Sequence, residues 1–287
     1  MSKKVVLITG TNSGFGYLAA QSLAEEGHTV YATIRETKGR NAERANELAA
    51  VDNINVVDLD VTDAARVKEV VAEIVDAEGR LDVVVNNAGF YGGGITETFT
   101  EDDLEKMFDV NVKGVWRLTK ASLPQLRKQG EGLVINISSG LGRFSAPFMT
   151  VYNSTKFAVE GLTEGLHYEL RPLGVDVVAI QPGAFPTEIF GKTASGTDAH
   201  LAVEYGPLAS IPDQIGEGMG QLFETVKPNP QDVADSIIEL INTPKGQRPL
   251  RTVVDPATGQ FVSNANESVK PHFDGFLTAF GMGELLN

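Results

Sequence analysis

The chain has 287 residues, 42% of them hydrophobic, and a formal net charge of −14 from 24 basic and 38 acidic side chains. That charge opposes association with nucleic acid, which needs basic side chains to neutralise phosphates. With 0 Cys and 4 His in no metal-ligand spacing, disulfides, cysteine nucleophiles and thiolate metal sites are excluded, and no metal centre is expected.

The first apolar run, residues 5–8, is too short for a signal peptide or membrane span, so a soluble, cytoplasmic protein is expected. Residues 4–9 are β-branched and apolar, as in a strand covered on both faces, and run into Gly10-Thr11-Asn12-Ser13-Gly14-Phe15-Gly16. A helix is expected over about 15–26. A glycine-rich turn between a strand and a helix N-terminus lets the backbone approach a diphosphate, whose charge the first-turn N–H groups and helix dipole stabilise; an ordinary tight turn has the same composition.

Residues 28–34 read as a second strand ending at Arg35, followed by a helix over about 38–50. In a dinucleotide site the second strand ends at the adenosine ribose, where an acid would bond a free 2′-hydroxyl. Ile34 cannot do so, whereas Arg35 can pair with a 2′-phosphate, which points to NADP(H) over NAD(H); a solvated strand-end Arg is the alternative. A third strand over 54–59 ends at Asp60-Val61, with Thr62-Asp63 as cap for a helix over about 64–77. A fourth, 81–85, leads into Asn86-Asn87-Ala88-Gly89, where paired Asn can close a turn.

A loop at 90–100 contains Gly92-Gly93-Gly94, and a long helical region follows over about 101–128 with Asn111 amid apolar periodicity. A fifth strand, 132–137, delivers Ser138-Ser139 to a strand end, where ligands collect in an open parallel sheet. The next helix, about 151–170, carries Tyr152 and Lys156 four residues apart on one face. A fixed cation beside a phenol favours the phenolate and makes Tyr152 a candidate general acid/base, although that spacing arises by chance in roughly one such chain in four. A sixth strand, 175–180, ends in Gln181-Pro182-Gly183-Ala184-Phe185-Pro186-Thr187. Residues 188–226 are expected to form a substrate lid or a long insertion, Asn229-Pro230 starts another helix, and 251–254 is a seventh strand at the sheet edge. A helical extension over about 259–287 ends in an apolar stretch through Phe273, Phe276, Leu277 and Phe280. Alternating strands and helices, with no linker or repeat, predict a single α/β domain: a doubly wound Rossmann fold, mostly or fully parallel.

Motifs in chain order resemble those of the short-chain dehydrogenase/reductase family. Residues 9–16 match its Thr-Gly-x-x-x-Gly-x-Gly pattern, with Phe15 where Ile or Leu is usual, and Asn86-Asn87-Ala88-Gly89 matches another motif. Asn111, Ser139 thirteen residues before Tyr152, Lys156 and the Pro182-Gly183 segment with Thr187 fall at the family's spacings. The resemblance implies a nicotinamide dinucleotide held by Gly10, Thr11, Asn12, Ser13, Phe15, Gly16, Arg35, Asp60, Val61, Asn87, Ala88, Gly89, Tyr152, Lys156, Pro182, Gly183 and Thr187. It also implies hydride transfer between a carbonyl and an alcohol. Ser139 would bond the substrate oxygen, Tyr152 protonate it, Lys156 lower the tyrosine pKa and hold the ribose, and Asn111 hold a water of the proton relay.

The strand at 28–35 and the length resemble the hydroxysteroid and retinol dehydrogenase branch. Tyr91, Leu141, Phe148, Phe185 and Phe190 suggest an apolar ketone or aldehyde, though lid aromatics can equally pack against the sheet. A homodimer or homotetramer is in keeping with the resemblance. The competing function is a non-catalytic NADP-binding sensor or scaffold on the same fold.

Overall fold

The computed structural model describes residues 3–286; Asn287, in the expected C-terminal extension, lies outside them. The strands are β1 (Val5–Thr9), β2 (Thr29–Ile34), β3 (Ile54–Asp58), β4 (Val83–Asn86), β5 (Gly132–Ile137), β6 (Val175–Pro182) and β7 (Arg251–Val254). They form a seven-stranded sheet in the order β3-β2-β1-β4-β5-β6-β7. Each adjacent pair is parallel, the edge strand β7 included. The order reverses direction at β1 and β4, so the crossovers lay helices on both faces.

The helices are α1 (Gly14–Glu25), α2 (Ala42–Ala49), α3 (Ala64–Glu78), α4 (Glu101–Phe108), α5 (Val115–Gln129), α6 (Thr150–Leu170), α7 (Ile211–Val226), α8 (Gln231–Asn242) and α9 (Gly259–Ala279). Alternation along β1 shows how the sheet serves two cores. Val6 and Ile8 pack with Leu23 of α1, Leu48 of α2 and Ile237 of α8, whereas Val5 and Leu7 pack with Val70 of α3 and Leu118 of α5. A strand buried on both faces must be apolar at every position, and β1 is.

The structure departs locally from the sequence expectation at four places. Residues 38–41 precede α2 as a turn, pinned because Asp58 accepts from the Glu36 amide (3.2 Å) and from the Thr37 amide (2.9 Å) and hydroxyl (2.7 Å). The expected helix over 101–128 is split by a π-helical segment, Asp109–Gly114. The 188–226 segment folds as short 3₁₀ turns, a 3₁₀ run Ala199–Ser210 broken at Gly206 (φ 52°), and α7, which has no buried residue. Asn229 stands one residue further out than a first-position cap, yet its Oδ1 still accepts from the Gln231 amide at 3.1 Å. No helix among the described residues is long and apolar enough to cross a membrane.

Candidate active site

The C-terminal ends of the central strands open into a cavity of about 1150 Å³. Its floor is built by close backbone approach. Gly10 has φ 71° and a Cβ there would lie 2.8 Å from the Ala88 Cα; a Cβ on Gly16 would collide with the Asn87 amide nitrogen and lie 2.6 Å from the Gly10 carbonyl. Asn87 Nδ2 donates to the Thr9 and Gly10 carbonyls (2.8 and 3.0 Å), and Thr9 Oγ1 accepts from the Asn87 and Ala88 amides (3.1 and 3.0 Å). The turn after β4 thus clamps the turn after β1. At the head of α1 no side chain caps the helix and no acid occupies the first turn, so its free N–H groups keep the positive end of the dipole. Asn12, Ser13, Phe15, Asn87, Ala88 and Gly89 border the cavity as expected. Thr11 and Gly16 do not: Thr11 is fully buried with its hydroxyl donating to the Thr33 carbonyl (3.1 Å), and Gly16 is a packing position that lets α1 approach Asn87.

At the end of the cavity formed after β2 and β3, Arg35, Asp60 and Val61 border it, joined by Arg40 and Asn41, which sequence reasoning had placed in a helix. Arg35 Nη1 lies 3.2 Å from Asp60 Oδ2 and Arg40 Nε 3.0 Å from Glu36 Oε2. Asn41 Nδ2 donates to the Arg35 carbonyl at 2.6 Å. Burial pushes the Asp60 carboxyl up, but the Thr62 amide and hydroxyl together with Arg35 outweigh it and hold the group below its ordinary range.

Ser139, Tyr152 and Lys156 meet at the other end of the same cavity. Ser139 ends β5 with extended backbone, and its Oγ accepts from the Leu141 amide at 3.1 Å. Tyr152 is buried in the first turn of α6, edge-on to Tyr91 with ring centroids 5.1 Å apart. Lys156 Nζ donates to the Ile137 carbonyl at 2.8 Å and lies 5.6 Å from the Tyr152 ring centroid. Here the expected electrostatics are corrected. Burial pushes the Tyr152 phenol well above its ordinary value, against the opposing Ser139 hydrogen bond. Burial likewise pushes Lys156 down to about 8, against Glu160. The ammonium is spent on a backbone carbonyl, and desolvation wins for both groups.

Asn111 does not border the cavity; its neighbour Val110 does. Its Oδ1 accepts from the Phe90 amide (3.0 Å) and its Nδ2 donates to the Phe90 carbonyl (2.9 Å) and Thr155 Oγ1 (3.3 Å). Both amide protons are therefore committed, and the side chain braces the loop after β4 against α6 rather than offering a donor to a relay.

Pro182, Gly183 and Thr187 border the cavity, as do Tyr91, Leu141 and Phe190. Phe148 does not: it holds a turn at φ 63° whose carbonyl accepts from the Gly94 amide at 2.8 Å. Phe185 touches the cavity but is only 1% exposed and packs edge-on against Phe15 at 5.5 Å, so it belongs to the floor and not to a lid. Sequence reasoning missed Phe144, Met149, Met219, Phe261 and Val262, which complete the apolar wall: the first two lie between Ser139 and Tyr152 at positions that spacing leaves open, the others in segments without any motif. The 188–226 segment docks on the loop after β4: Ala194 N donates to the Tyr91 carbonyl (2.9 Å), Gly93 N to the Ala194 carbonyl (3.0 Å) and Asp198 N to the Thr98 carbonyl (2.9 Å). Phe190 lies 5.4 Å from Tyr91 and 5.7 Å from Phe223 of α7.

Residues 4–198 match the family model described as short chain dehydrogenase. The chain is 38% identical over 187 residues to 3-ketodihydrosphingosine reductase of Bacteroides thetaiotaomicron, a match covering 65% of this chain and 66%, just under two thirds, of that protein. It is 34% identical over 258 residues to human 17-beta-hydroxysteroid dehydrogenase type 1, covering 85% and 76%. A short-chain dehydrogenase from Streptomyces avermitilis superposes with a TM-score of 0.75 at 34% identity, with 99% of each chain covered. A Burkholderia phymatum short chain dehydrogenase/reductase solved with NAD gives 0.76 at 26% identity over 94% and 95%. ElxO with NADP bound gives 0.69 at 29% identity over 91% and 100%. The chain belongs to the short-chain dehydrogenase family of oxidoreductases.

Proposed function

We propose that this oxidoreductase interconverts an apolar ketone or aldehyde and its alcohol with NADP(H), Tyr152 acting as general acid/base. The observation that carries this is one cavity joining a glycine-built cradle to Ser139, Tyr152 and Lys156. The cradle fits a dinucleotide: the space a Cβ would fill at Gly10 is closed by Ala88, and the uncapped head of α1 suits a diphosphate. Asn12, Ser13, Asp60, Val61, Asn87, Pro182, Gly183 and Thr187 would hold the cofactor, with Arg35 and Arg40 at a 2′-phosphate. When bound, the nicotinamide supplies the hydride.

The chain's own part is orientation and proton handling. Ser139 Oγ donates to the substrate oxygen from the end of β5. Tyr152, kept protonated by burial, delivers its proton to that oxygen in the reductive direction. Lys156 holds positive charge beside the phenol, and Asn111 keeps the loop after β4 in register with α6. Substrate apolarity is supported by the walls of Tyr91, Leu141, Met149, Phe190 and Phe261, and by relatives named for a hydroxysteroid and for ketodihydrosphingosine.

A panel of ketones and aldehydes, followed by loss of NADPH absorbance, tests the assignment. Tyr152→Phe should cut turnover by about 10²–10⁴ while cofactor affinity stays put. Wild-type turnover in that variant refutes the role of Tyr152, and tight NADPH binding without turnover on any compound favours a sensor.

A further inference from the structure

We propose that Glu160 is a positioning residue for the reaction: a buried carboxylate one helical turn beyond Lys156 that places a negative charge behind the lysine and seats the turn behind Ser139. The inference rests on taking Lys156 as the cation of the site. Both residues lie on the inward face of α6 and both are buried. A carboxylate at that depth is costly unless paired. Glu160 is paired twice, accepting from Arg251 Nε of β7 at 2.7 Å and from Gln181 Nε2 of β6 at 3.0 Å. Gln181 Oε1 in turn accepts from Asn266 Nδ2 of α9 at 2.7 Å, so elements on three sides fix the carboxylate.

The same group touches the serine's support. A Cβ on Gly142 would lie 2.9 Å from Glu160 Cγ, 2.9 Å from Ser138 Oγ and 3.1 Å from the Lys156 carbonyl, so the turn after Ser139 rests directly on Glu160. Lys156 has one hydrogen-bond acceptor among the described residues, the neutral Ile137 carbonyl. The charged and titratable groups around it are Tyr152 and Glu160 on α6, Glu164 a turn further on and bound to Arg251 Nη2 (3.0 Å), Arg251 on β7 and Arg143 at the end of the turn behind Ser139. Tyr91 lies behind Tyr152 from the loop after β4. Of these, Glu160 is the charge that offsets burial at Lys156.

In the reductive direction the alkaline limb of kcat/KM reports loss of a proton from the adjacent pair Tyr152 and Lys156. Removing a neighbouring negative charge favours the neutral amine, and the limb must move to lower pH. Glu160→Gln keeps the length and one acceptor, and should move the limb down by roughly half to one pH unit. Glu160→Asp keeps the charge but withdraws it by one methylene, and should move it less. Glu164→Gln, which loses a bond to the same arginine, should leave it in place. Thermal unfolding measured in parallel separates packing from electrostatics: lower stability with an unmoved limb in Glu160→Gln overturns the proposal, and should that variant not fold, an unmoved limb in Glu160→Asp does so. A limb that moves as far in Glu164→Gln also overturns it. Lys156→Met serves as the separate control: turnover retained there refutes the role given to Lys156 itself, whatever Glu160 does.

Discussion

Replacing Arg35 with Ala probes the cofactor assignment most directly. A charge-assisted bond to a phosphate contributes about 1.5–3 kcal/mol. Arg35 is not idle, however: it is about half exposed and 3.2 Å from Asp60. An exposed pair of that kind contributes up to about 1 kcal/mol, some of which is surrendered when a phosphate competes for the guanidinium. The net loss in Arg35→Ala is then about 1–2 kcal/mol, or about 5- to 30-fold in KM for NADPH. NADH lacks the 2′-phosphate, so its KM should change by no more than about twofold. Arg40, tied to Glu36 at 3.0 Å and more exposed, should give a smaller effect in the same direction. Steady-state KM values for both cofactors at low ionic strength check this, and raising the salt should narrow the gap between wild type and variant. Equal losses with NADPH and NADH, or none with either, would refute the assignment of the 2′-phosphate to this arginine.

Two further perturbations test the frame around the site. Asp103 Oδ2 accepts from the Thr100 amide (3.0 Å) and hydroxyl (2.9 Å), capping α4, and from the Thr197 amide (3.0 Å) and hydroxyl (2.7 Å) of the 188–226 segment. Those bonds, the Thr197 hydroxyl first, hold its carboxyl well below the usual range, so the latch is intact above the ordinary Asp value and is lost only as pH falls through the lowered one. Asp103→Ala should cost about 1 kcal/mol of stability, raise the substrate KM several-fold with kcat retained, and quicken proteolysis within 188–226; an unchanged KM refutes the latch. Arg248→Met leaves Asp176, 3% exposed and paired at 2.6 Å, without its charged partner and with the Gly246 amide at 3.0 Å as its remaining donor. The cost should be about 3–5 kcal/mol, seen as a fall in Tm on the order of 10 °C, and a shift of a degree or two would show that the pair is dispensable.

The sheet was legible in the sequence because its constraint is periodic and local. β5 and β7 fall at residues 132–137 and 251–254 as read, since a doubly covered strand is dominated by apolar residues, its buried Asn136 being satisfied by Asn86 and Thr163, and an edge strand can tolerate Arg251. The departures sit where a tertiary contact overrides or reinforces a local pattern. At positions 38–41 the sequence carries a local signal in Gly39, which weakens a helix, and Asn41, which stands at the cap position of α2; the Asp58 carboxylate, distant in sequence, adds to it by capturing the backbone at Glu36 and Thr37. Asn111 was placed at the site by its spacing, but spacing does not report that Phe90 and Thr155 take both of its amide protons. Phe148 and Phe185 were named for being aromatic and near. One instead bends the backbone, and the other fills the floor against Phe15.

The two ends of the cavity differ in what fixes them. The end proposed for the cofactor is made by backbone approaching backbone, so its requirements appear as residue types that no neighbour can replace: a glycine at φ 71°, an amide side chain bridging two turns. The substrate end is a wall of side chains from the loop after β4, the turn after β5, α7 and α9, where any large apolar residue would serve. Such a wall leaves no motif. The residues that belong to neither end, Glu160, Gln181 and Arg251, lie behind Lys156 and tie α6 to β6 and β7 through bonds of 3.0 and 2.7 Å. A buried carboxylate held that firmly costs more to keep than an apolar side chain of the same size. Its placement next to the one buried lysine of the site is therefore better accounted for by the charge it provides than by the packing it supplies.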